Sequence, residues 1–379
     1  MHVGIDGGCW TNQRGYGRFL RELLSALGQA SLAHRYTVYL DPSSYDAFDI
    51  GPPFERKLVR TAQAVGEAAT AEGSRSIPDV LRMTLGVRED LDLFFFPSVY
   101  SYFPLLRPIP VLLGIHDTIA DRNPKFSFQT RRQEFLWRVK VRLAIAQATT
   151  ILTVSEYSKR SIAEWFRIPH DRIAVIQEAS AARFRVQEYP EPPRPFALYV
   201  GGISPNKNLA RLLQAFAKTR ARETGAQLLL VGDYERDGFK SNYAELTGWV
   251  ERLNLGGQAI FKGFVPDHEL QRLYNTCTVF TMPSLDEGFG LPAIEAMSCG
   301  RPTIVSSGNS LEEVVGSAGV IVNPASVDDI AAAIDRIFED DRLRADLGRR
   351  ALERARQFSW ETAAQQLLGA FAQAAAHRR

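Results

Sequence analysis

Short apolar runs alternate with stretches of helical periodicity along most of the chain. The runs of strand length lie at residues 3–6, 36–40, 93–96, 111–115, 151–154, 196–200, 227–231, 259–261, 279–282, 303–305 and 319–322. The helical stretches lie at residues 17–27, 209–219, 243–253, 267–275, 292–297, 327–338, 341–357 and 360–376. Continuous apolar runs are typical of strands that are buried on both faces of a parallel sheet. Because such strands are interleaved with helices, the pattern predicts an α/β protein with doubly wound parallel sheets.

The length of the chain predicts two domains, since 379 residues exceed what one hydrophobic core usually supports. Residues 188–195 are dense in proline and are the best candidate for a linker. We therefore expect an N-terminal domain of residues 1–190 and a C-terminal domain of residues 191–359. Two such domains would leave a cleft at the carboxyl ends of their strands, where open α/β sheets bind ligands.

Charge and cysteine content narrow the class of protein further. Lys and Arg number 45 against 43 for Asp and Glu, so overall charge gives no reason to expect nucleic acid as a partner. The three cysteines have no metal-ligand spacing and are expected to be reduced thiols. The first residues lack a signal-peptide pattern, and no apolar run approaches the ~20 residues that span a bilayer. We expect a cytoplasmic protein, with attachment to a membrane surface left open.

The segment Glu287-Gly-Phe-Gly-Leu-Pro-Ala-Ile-Glu295 carries the most specific chemistry. Pro292 suits a helix start, where the preceding N–H groups point outward and can bind an anion. Those groups belong to Phe289, Gly290 and Leu291. Glu287 and Glu295 would flank the anion and accept hydrogen bonds from hydroxyl groups. A ligand that carries phosphate in its middle and hydroxyl groups on both sides is a nucleoside diphosphate sugar. The plain alternative is one solvated glutamate and one routine helical glutamate.

A second loop follows the apolar run 196–200 and contains Gly202, Asn206 and Lys207 before a helix start. Lys207 is placed to neutralise a diphosphate with a mobile ammonium group. A cation there stabilises a leaving diphosphate more in the transition state than in the ground state. The alternative is an exposed loop lysine, which is how most lysines are found.

Two further candidate sites follow strands of the N-terminal half. After the first strand, glycines at the start of a helix allow the backbone to approach phosphate or acceptor, and the candidates are Arg14, Gly15, Tyr16 and Arg18. This spacing is not the G-x-G-x-x-G fingerprint, which disfavours a nicotinamide enzyme; a simple tight turn is the alternative. His116 and Asp117 follow the run 111–115 and should lie at the carboxyl edge of a strand. A structural histidine and a capping aspartate are the plain alternatives.

These motifs resemble the retaining glycosyltransferases of family 4, which have the GT-B fold of two Rossmann-like domains. The resemblance covers nearly the whole chain and is most specific at residues 201–208 and 284–305. It implies a donor-binding C-terminal domain and an acceptor-binding N-terminal domain, with helix 360–379 packed back on the N-terminal domain. One departure is Gly202, where many members carry arginine.

The resemblance also implies roles for individual residues. Glu287 would contact the transferred hexose, Glu295 would hold the ribose and Lys207 would bind the diphosphate. His116 would lie beside the reacting sugar and Gly15 near the donor phosphates. Configuration at the anomeric carbon would be retained, with the leaving phosphate helping to take the acceptor proton. From the residues alone, Asp117 as a nucleophile stays open.

The sequence gives only weak evidence for metal binding and for recognition of the nucleotide base. Asp90-Leu-Asp92 matches the D-x-D of another glycosyltransferase architecture, but Asp92 leads directly into a strand, so we interpret the match as chance. No cluster has metal-ligand spacing, which favours chemistry that uses neither a metal nor another cofactor. Val265, after the run 259–261, is a candidate for reading the base through its backbone. Ordinary loop turns are the alternative there.

Residues 130–142 combine five basic residues with aromatic and aliphatic ones. This composition fits a helix that meets anionic lipid, which would suit a lipid-linked acceptor. A core-packing helix with a solvated basic face is the preferred interpretation.

Together these features predict a hexosyltransferase of polysaccharide or glycoconjugate synthesis. Its donor would be a GDP- or UDP-hexose carrying mannose or glucose, and its acceptor a hydroxyl of a glycan, a glycolipid or a small molecule. A sugar-nucleotide epimerase and a nucleotide-sugar-binding subunit without turnover are the alternatives.

Overall fold

The computed structural model describes residues 1–13, 15–30, 33–63, 76–234 and 241–376, so the candidate Arg14 lies outside the described residues. The chain divides into two compact units. Residues 1–178 and 360–379 form the first unit, and residues 179–359 form the second.

Within its described residues, the first unit contains a seven-stranded parallel sheet with strand order β3-β2-β1-β4-β5-β6-β7. The strands are β1 (His2–Asp6), β2 (Arg35–Leu40), β3 (Phe54–Leu58), β4 (Leu93–Phe96), β5 (Val111–Gly114), β6 (Thr150–Thr153) and β7 (Ile173–Val175). The connecting helices are α1 (Gly15–Ala30), α2 (Pro42–Ala47), α3 (Ile77–Gly86), α4 (Ile119–Arg122), α5 (Pro124–Ser127), α6 (Arg131–Gln147) and α7 (Glu156–Phe166). Short 3₁₀ turns lie at Val99–Ser101 and His170–Arg172.

The second unit contains, among the residues described, a six-stranded parallel sheet with order β10-β9-β8-β11-β12-β13. Its strands are β8 (Phe196–Val200), β9 (Gln227–Val231), β10 (Ala259–Gly263), β11 (Val279–Met282), β12 (Thr303–Ser306) and β13 (Val320–Val322). Its helices are α8 (Leu209–Ala217), α9 (Arg220–Glu223), α10 (Tyr243–Arg252), α11 (Asp267–Thr276), α12 (Leu291–Ser298), α13 (Ser310–Val315), α14 (Val327–Glu339) and α15 (Asp341–Ala355). Two 3₁₀ turns lie at Pro205–Lys207 and Gly316–Ala318.

The last helix, α16 (Trp360–Ala376), packs on the first unit although it follows the second in sequence. The ring of Trp360 meets that of Phe19 edge-on, with centroids 5.9 Å apart. Further along the helix, Phe371 packs on Phe95 of β4 at 5.8 Å. The helix therefore completes the core of the first unit.

The division between the units precedes the proline-dense segment, whereas the sequence suggested a boundary inside it. The reason is that residues 183–187 are attached to α11 of the second unit. Phe184 packs edge-on against Tyr274 at 5.4 Å, and the backbone N–H of Gln187 donates to Asn275 Oδ1 at 2.9 Å. Side-chain contacts, rather than proline content, decide where this segment belongs.

The predicted fold class is confirmed, and the central strands explain why it could be recognised. Both sheets reverse their strand order between the first strand of the unit and the fourth, at β1 and β4 and at β8 and β11. These four strands are almost wholly buried, so their sequences are continuous apolar runs. In open α/β sheets, the loops that leave the carboxyl ends on either side of such a reversal diverge and create a binding crevice.

Candidate functional site

Lys207 and Glu287 form an ion pair at the reversal point of the second sheet. Lys207 ends the 3₁₀ turn after β8, and Glu287 lies in the loop after β11, the strand that pairs with β8. Lys207 Nζ donates to Glu287 Oε1 at 2.6 Å. The two side chains are 17% and 9% exposed. An ammonium and a carboxylate are thus held together at the sheet edge where a ligand is expected.

Backbone and amide contacts tie the Lys207 loop to the Glu287 loop. The carbonyl of Asn206 accepts the N–H of Leu285 at 2.8 Å. Asn208, with φ at +62°, directs its side-chain amide to the carbonyls of Pro283 at 2.9 Å and Pro324 at 2.8 Å. Because Asn208 tolerates the left-handed region, it turns the chain from the loop into α8 while bonding to the neighbouring loop. These bonds fix Lys207 opposite Glu287.

The Glu287 loop is also held from β12 and α13. Ser310 Oγ donates to the carbonyls of Glu287 at 2.8 Å and Phe289 at 3.1 Å. Two further donors, Ser306 Oγ and the Asn309 amide, bond to the carbonyl of Ser284. With its backbone fixed by buried hydroxyl and amide groups, the loop presents the Glu287 carboxylate in a defined position.

Gly290 marks the start of helix α12 and cannot be replaced without strain. Its φ is +110°, and a Cβ at this position would lie 2.3 Å from Leu311 Cδ2. Pro292 occupies the first turn of α12, as the sequence suggested. Phe289 packs its ring edge-on against that of Phe358, with centroids 5.9 Å apart. The amino end of α12 therefore lies beside Glu287, where the helix dipole favours a bound anion.

Glu295 is more enclosed than the sequence alone indicated. It lies one turn inside α12 and is fully buried. Its Oε2 accepts a hydrogen bond from the Tyr274 hydroxyl at 2.8 Å. The role of Glu295 in ribose binding stays a prediction, and it would depend on the hydrogen-bonding capacity that Tyr274 leaves.

Gly202 lies beside a buried tyrosine. The Tyr199 hydroxyl donates to the Gly202 carbonyl at 2.8 Å. Burial, reinforced by the negative charge of Glu287, raises the pKa of Tyr199 well above its ordinary value. Tyr199 therefore stays a neutral donor and fixes the loop at Gly202.

His116 follows β5 in the first unit and lies at the carboxyl edge of the sheet. Its Nε2 lies 2.9 Å from the carbonyl oxygen of Pro97, which follows β4. Its Nδ1 lies 3.6 Å from Glu178 Oε1, and the two side chains are 15% and 6% exposed. The Phe19 ring meets the imidazole edge-on, with centroids 4.7 Å apart.

Burial alone would lower the pKa of His116, but the Glu178 carboxylate, the Pro97 carbonyl and Asp117 outweigh it and raise that pKa above its ordinary value. Burial also raises the pKa of Glu178, against the opposing effect of His116 and Arg18. The two groups form a coupled pair, since the charge of each stabilises the charged form of the other.

The remaining N-terminal candidates occupy local turns and packing positions. Asp117 Oδ1 accepts the N–H of Ile119 at 2.8 Å and so closes a turn before α4. Gly15 begins α1, and the ring of Tyr16 stacks on that of Tyr100 with centroids 5.3 Å apart. Arg18 acts on Glu178 through its charge.

Asp90 and Asp92 lie at the amino end of β4, the opposite sheet edge from His116. Asp92 Oδ2 accepts the N–H of His2 at 2.8 Å, which ties β4 to β1. In the part of the chain that is described, no cluster of three or more His, Cys, Asp or Glu side chains could hold a metal ion. Val265 follows β10 at the carboxyl edge of the second sheet, and its role in reading the base stays a prediction.

Glu178, which contacts His116, was not identified from the sequence. It follows β7, a short edge strand that the hydrophobic pattern did not reveal either. The signal that could have found it is a single acid just after the apolar run 173–176. Tyr274 and Ser310 also contribute to the site, but only the folded chain brings them to it.

The two doubly wound parallel sheets define a protein of the GT-B type. The family model described as "Glycosyltransferase Family 4" matches residues 14–179, and the model described as "Glycosyl transferases group 1" matches residues 181–354. The chain belongs to this group of glycosyltransferases, as its motifs predicted.

Individual relatives agree with this assignment. The chain is 36% identical over 238 residues to O-antigen chain mannosyltransferase B of Escherichia coli, a match that covers 60% of this chain and 61% of that protein. The chain thus spans about three fifths of that relative's length.

Solved structures share the fold. Sucrose-phosphate synthase from Thermosynechococcus elongatus is 21% identical with a TM-score of 0.77, and 98% of each chain is covered. HepE from Anabaena, solved with UDP-glucose, is 19% identical with a TM-score of 0.75 over 98% of this chain and 100% of that one.

Proposed function

We propose that this protein transfers a hexose from a nucleoside diphosphate sugar to a hydroxyl of an acceptor in glycan or glycoconjugate synthesis. The observation that carries the proposal is the pair of Lys207 and Glu287, held at 2.6 Å beside the amino end of α12 at the reversal point of the second sheet. A diphosphate needs positive charge and N–H donors, and a hexose needs acceptors for its hydroxyls.

The reaction separates the sugar from the diphosphate, and negative charge builds up on the leaving group. Lys207 can exchange Glu287 for a phosphoryl oxygen, because its flexible chain and rotatable N–H groups allow a change of partner. The α12 amino end adds N–H groups that need no reorientation during the reaction. Glu287 is then available to accept from the hexose hydroxyls. The leaving phosphate would help to take the acceptor proton.

The finer details rest on the resemblance and on relatives. Retention of anomeric configuration is what the family resemblance implies. Independence of metal ions is proposed because Lys207 and the α12 amino end would take the place of a cation. Mannose is favoured because a relative is named as a mannosyltransferase, and GDP-mannose suits the Lys-Asn form of the loop. UDP-glucose is the second donor to consider, since HepE was solved with it.

Donor identity and activity can be tested together. We expect GDP-mannose or UDP-glucose to raise the Tm, since a ligand at 100 times its Kd stabilises by about 2.7 kcal/mol. With that donor and a panel of mannose-terminated acceptors, we expect a product whose anomeric configuration, measured by NMR, matches the donor. The rate should be the same in EDTA. Release of nucleoside diphosphate without an acceptor would indicate an epimerase, and binding without turnover would indicate a binding subunit; either would refute the proposal.

Helix α6 supports a second element of the proposal, peripheral contact with an anionic membrane. The helix buries Trp137, Val141 and Ala144 and so packs on the core of the first unit. Its opposite side exposes the apolar side chains of Phe135, Leu136, Val139 and Leu143. Its exposed basic residues are Arg131, Arg132, Arg138 and Arg142. We call this exposed side the α6 face.

The α6 face has the pattern of an interfacial helix. Phe135, Val139 and Leu143 are spaced four residues apart and form one stripe. Arg131, Arg138 and Arg142 flank that stripe on one side, where lipid phosphates would approach them. Each arginine near an anionic surface contributes about 1 kcal/mol. None of the described helices is long and apolar enough to cross a membrane, so any attachment through this face would be at the surface.

Vesicle sedimentation tests the α6 face. We expect the protein to bind vesicles that contain phosphatidylserine and not vesicles of phosphatidylcholine. The double variant Phe135→Ser with Leu143→Ser should weaken binding about 10-fold or more, because two apolar anchors are lost. The matched control is Leu81→Ser with Leu85→Ser, which removes two exposed leucines from α3 and should leave binding unchanged. Equal binding of both double variants would contradict the assignment.

A further inference from the structure

Both ring nitrogens of His116 face oxygen atoms that accept hydrogen bonds. Nε2 lies 2.9 Å from the carbonyl oxygen of Pro97, and a carbonyl has no proton to give. Nε2 must therefore carry a proton. Nδ1 lies 3.6 Å from Glu178 Oε1, which is too long for a hydrogen bond but short enough for an ion pair.

This arrangement limits where protons can be. An ionised carboxylate only accepts, so a bare Nδ1 lone pair facing it would be repelled. The pair therefore holds a proton between Nδ1 and Glu178, either on the imidazole or on the carboxyl group. A ring with protons on both nitrogens is an imidazolium cation, and an imidazolium can donate but cannot act as a base.

The surroundings act on both members of the pair. Burial and Asp117 raise the pKa of Glu178, whereas His116 and the positive charge of Arg18 of α1 lower it and favour the ionised carboxylate. Asp117, next to His116 in the chain, adds a second negative charge that favours the cation on the ring.

We propose that Glu178 is a positioning residue that keeps His116 doubly protonated and fixes its ring, so that His116 acts in sugar transfer as a hydrogen-bond donor and not as the base. Glu178 contacts His116 and is not proposed to contact any reacting atom of the substrates. The catalytic part of this inference rests on the proposed function; the protonation part does not.

The distance between His116 Nδ1 and Glu178 leaves the Nδ1 proton able to bind a substrate hydroxyl. Since the two atoms are 3.6 Å apart, the Nδ1 proton is not committed to a short hydrogen bond. A substrate hydroxyl can accept from Nδ1 while Glu178 stays paired with the ring, because a hydroxyl oxygen accepts hydrogen bonds. The pair is therefore suited to a hydroxyl of the sugar or the acceptor, whereas a phosphoryl oxygen would be repelled by the carboxylate.

Ring ¹⁵N chemical shifts of the full-length protein test the protonation state directly. The chain has six histidines, and the His116 signals can be assigned by their loss in His116→Gln. In the wild-type protein near neutral pH, we expect His116 to show two protonated ring nitrogens. In Glu178→Gln, its titration midpoint should fall by about 1–2 pH units, because an opposite charge within ~4–6 Å shifts a pKa by this order.

A matched control is Glu164→Gln, which removes one negative charge from the exposed side of α7 and should leave the His116 midpoint unchanged. A neutral wild-type ring near neutral pH would overturn the proposal without any variant. So would an unchanged midpoint in a folded Glu178→Gln protein. Neither result depends on transferase activity, so failure of the proposed function is seen separately, as absence of turnover in the wild type.

Kinetics separate positioning from a structural role. The imidazolium is lost as pH rises through the His116 pKa, so activity should fall on the alkaline side. In Glu178→Gln, this fall should begin about 1–2 pH units earlier, with activity recovered toward acid pH. A loss of kcat that is equal at every pH would mean that Glu178 only supports the fold, and it would overturn the proposed role.

Discussion

Lys207→Ala should lower kcat by about 10²–10³-fold, because it removes a cation that neutralises the leaving diphosphate. The effect on kcat should exceed the effect on KM, since the negative charge is greatest in the transition state. The substitution also leaves the Glu287 carboxylate without its 2.6 Å partner. We therefore expect a loss of about 1–3 kcal/mol in the free energy of unfolding, measured by denaturant titration.

A lysine elsewhere in the same unit provides the control for Lys207. Lys218 pairs with Asp328 at 2.6 Å, but both side chains are largely exposed. Lys218→Ala removes the same charge and should change kcat by less than about 2-fold and stability by less than about 1 kcal/mol. An unchanged kcat in Lys207→Ala would refute the role of Lys207. Equal losses of kcat in Lys207→Ala and Lys218→Ala would show that the effect of Lys207 is a nonspecific effect of charge.

Glu287→Ala should separate recognition of the sugar from recognition of the nucleotide. Hydrogen bonds to a charged group contribute about 1.5–3 kcal/mol, so the Kd of the nucleotide sugar should rise by about 10- to 100-fold. The Kd of the free nucleoside diphosphate should change by less than about 3-fold, because Lys207 and the α12 amino end remain. Isothermal titration calorimetry with the sugar nucleotide and the diphosphate measures both constants.

The comparison needs a control for loss of a carboxylate. Glu251 lies on an exposed position of α10, so Glu251→Ala should leave both constants unchanged. If Glu287→Ala weakened binding of the nucleoside diphosphate as much as binding of the sugar nucleotide, Glu287 would only position Lys207 and would not be a sugar ligand. The sugar-binding role would then have to be abandoned.

The sheet architecture was accessible from the sequence because the central strands are buried on both faces. β4, β8 and β11 begin and end where the apolar runs predicted. The edge strand β3 was missed, since only Phe54 of its residues is buried and the others lack an apolar pattern. Strands that carry no continuous hydrophobic signal become visible only through their pairing.

The candidate site was predictable in its location and less so in its contacts. The motifs placed Lys207 and Glu287 at one sheet edge, but their direct ion pair depends on the turn made by Asn208. Glu178 could not be assigned to His116, since the two residues meet only when β5 and β7 lie in one sheet. For α6, the sequence favoured a solvated basic face, whereas the folded helix also exposes an apolar stripe that helical periodicity alone could not assign to solvent.

The position of α16 has a consequence for synthesis on the ribosome. The Phe19 and Phe95 side chains of the first unit receive their cover from Trp360 and Phe371, which are translated only after residues 179–359. At about 5–20 residues per second, that intervening stretch delays the covering helix by roughly 10–40 s. During this interval the nascent N-terminal unit carries an uncovered apolar surface, and such a surface is prone to aggregation.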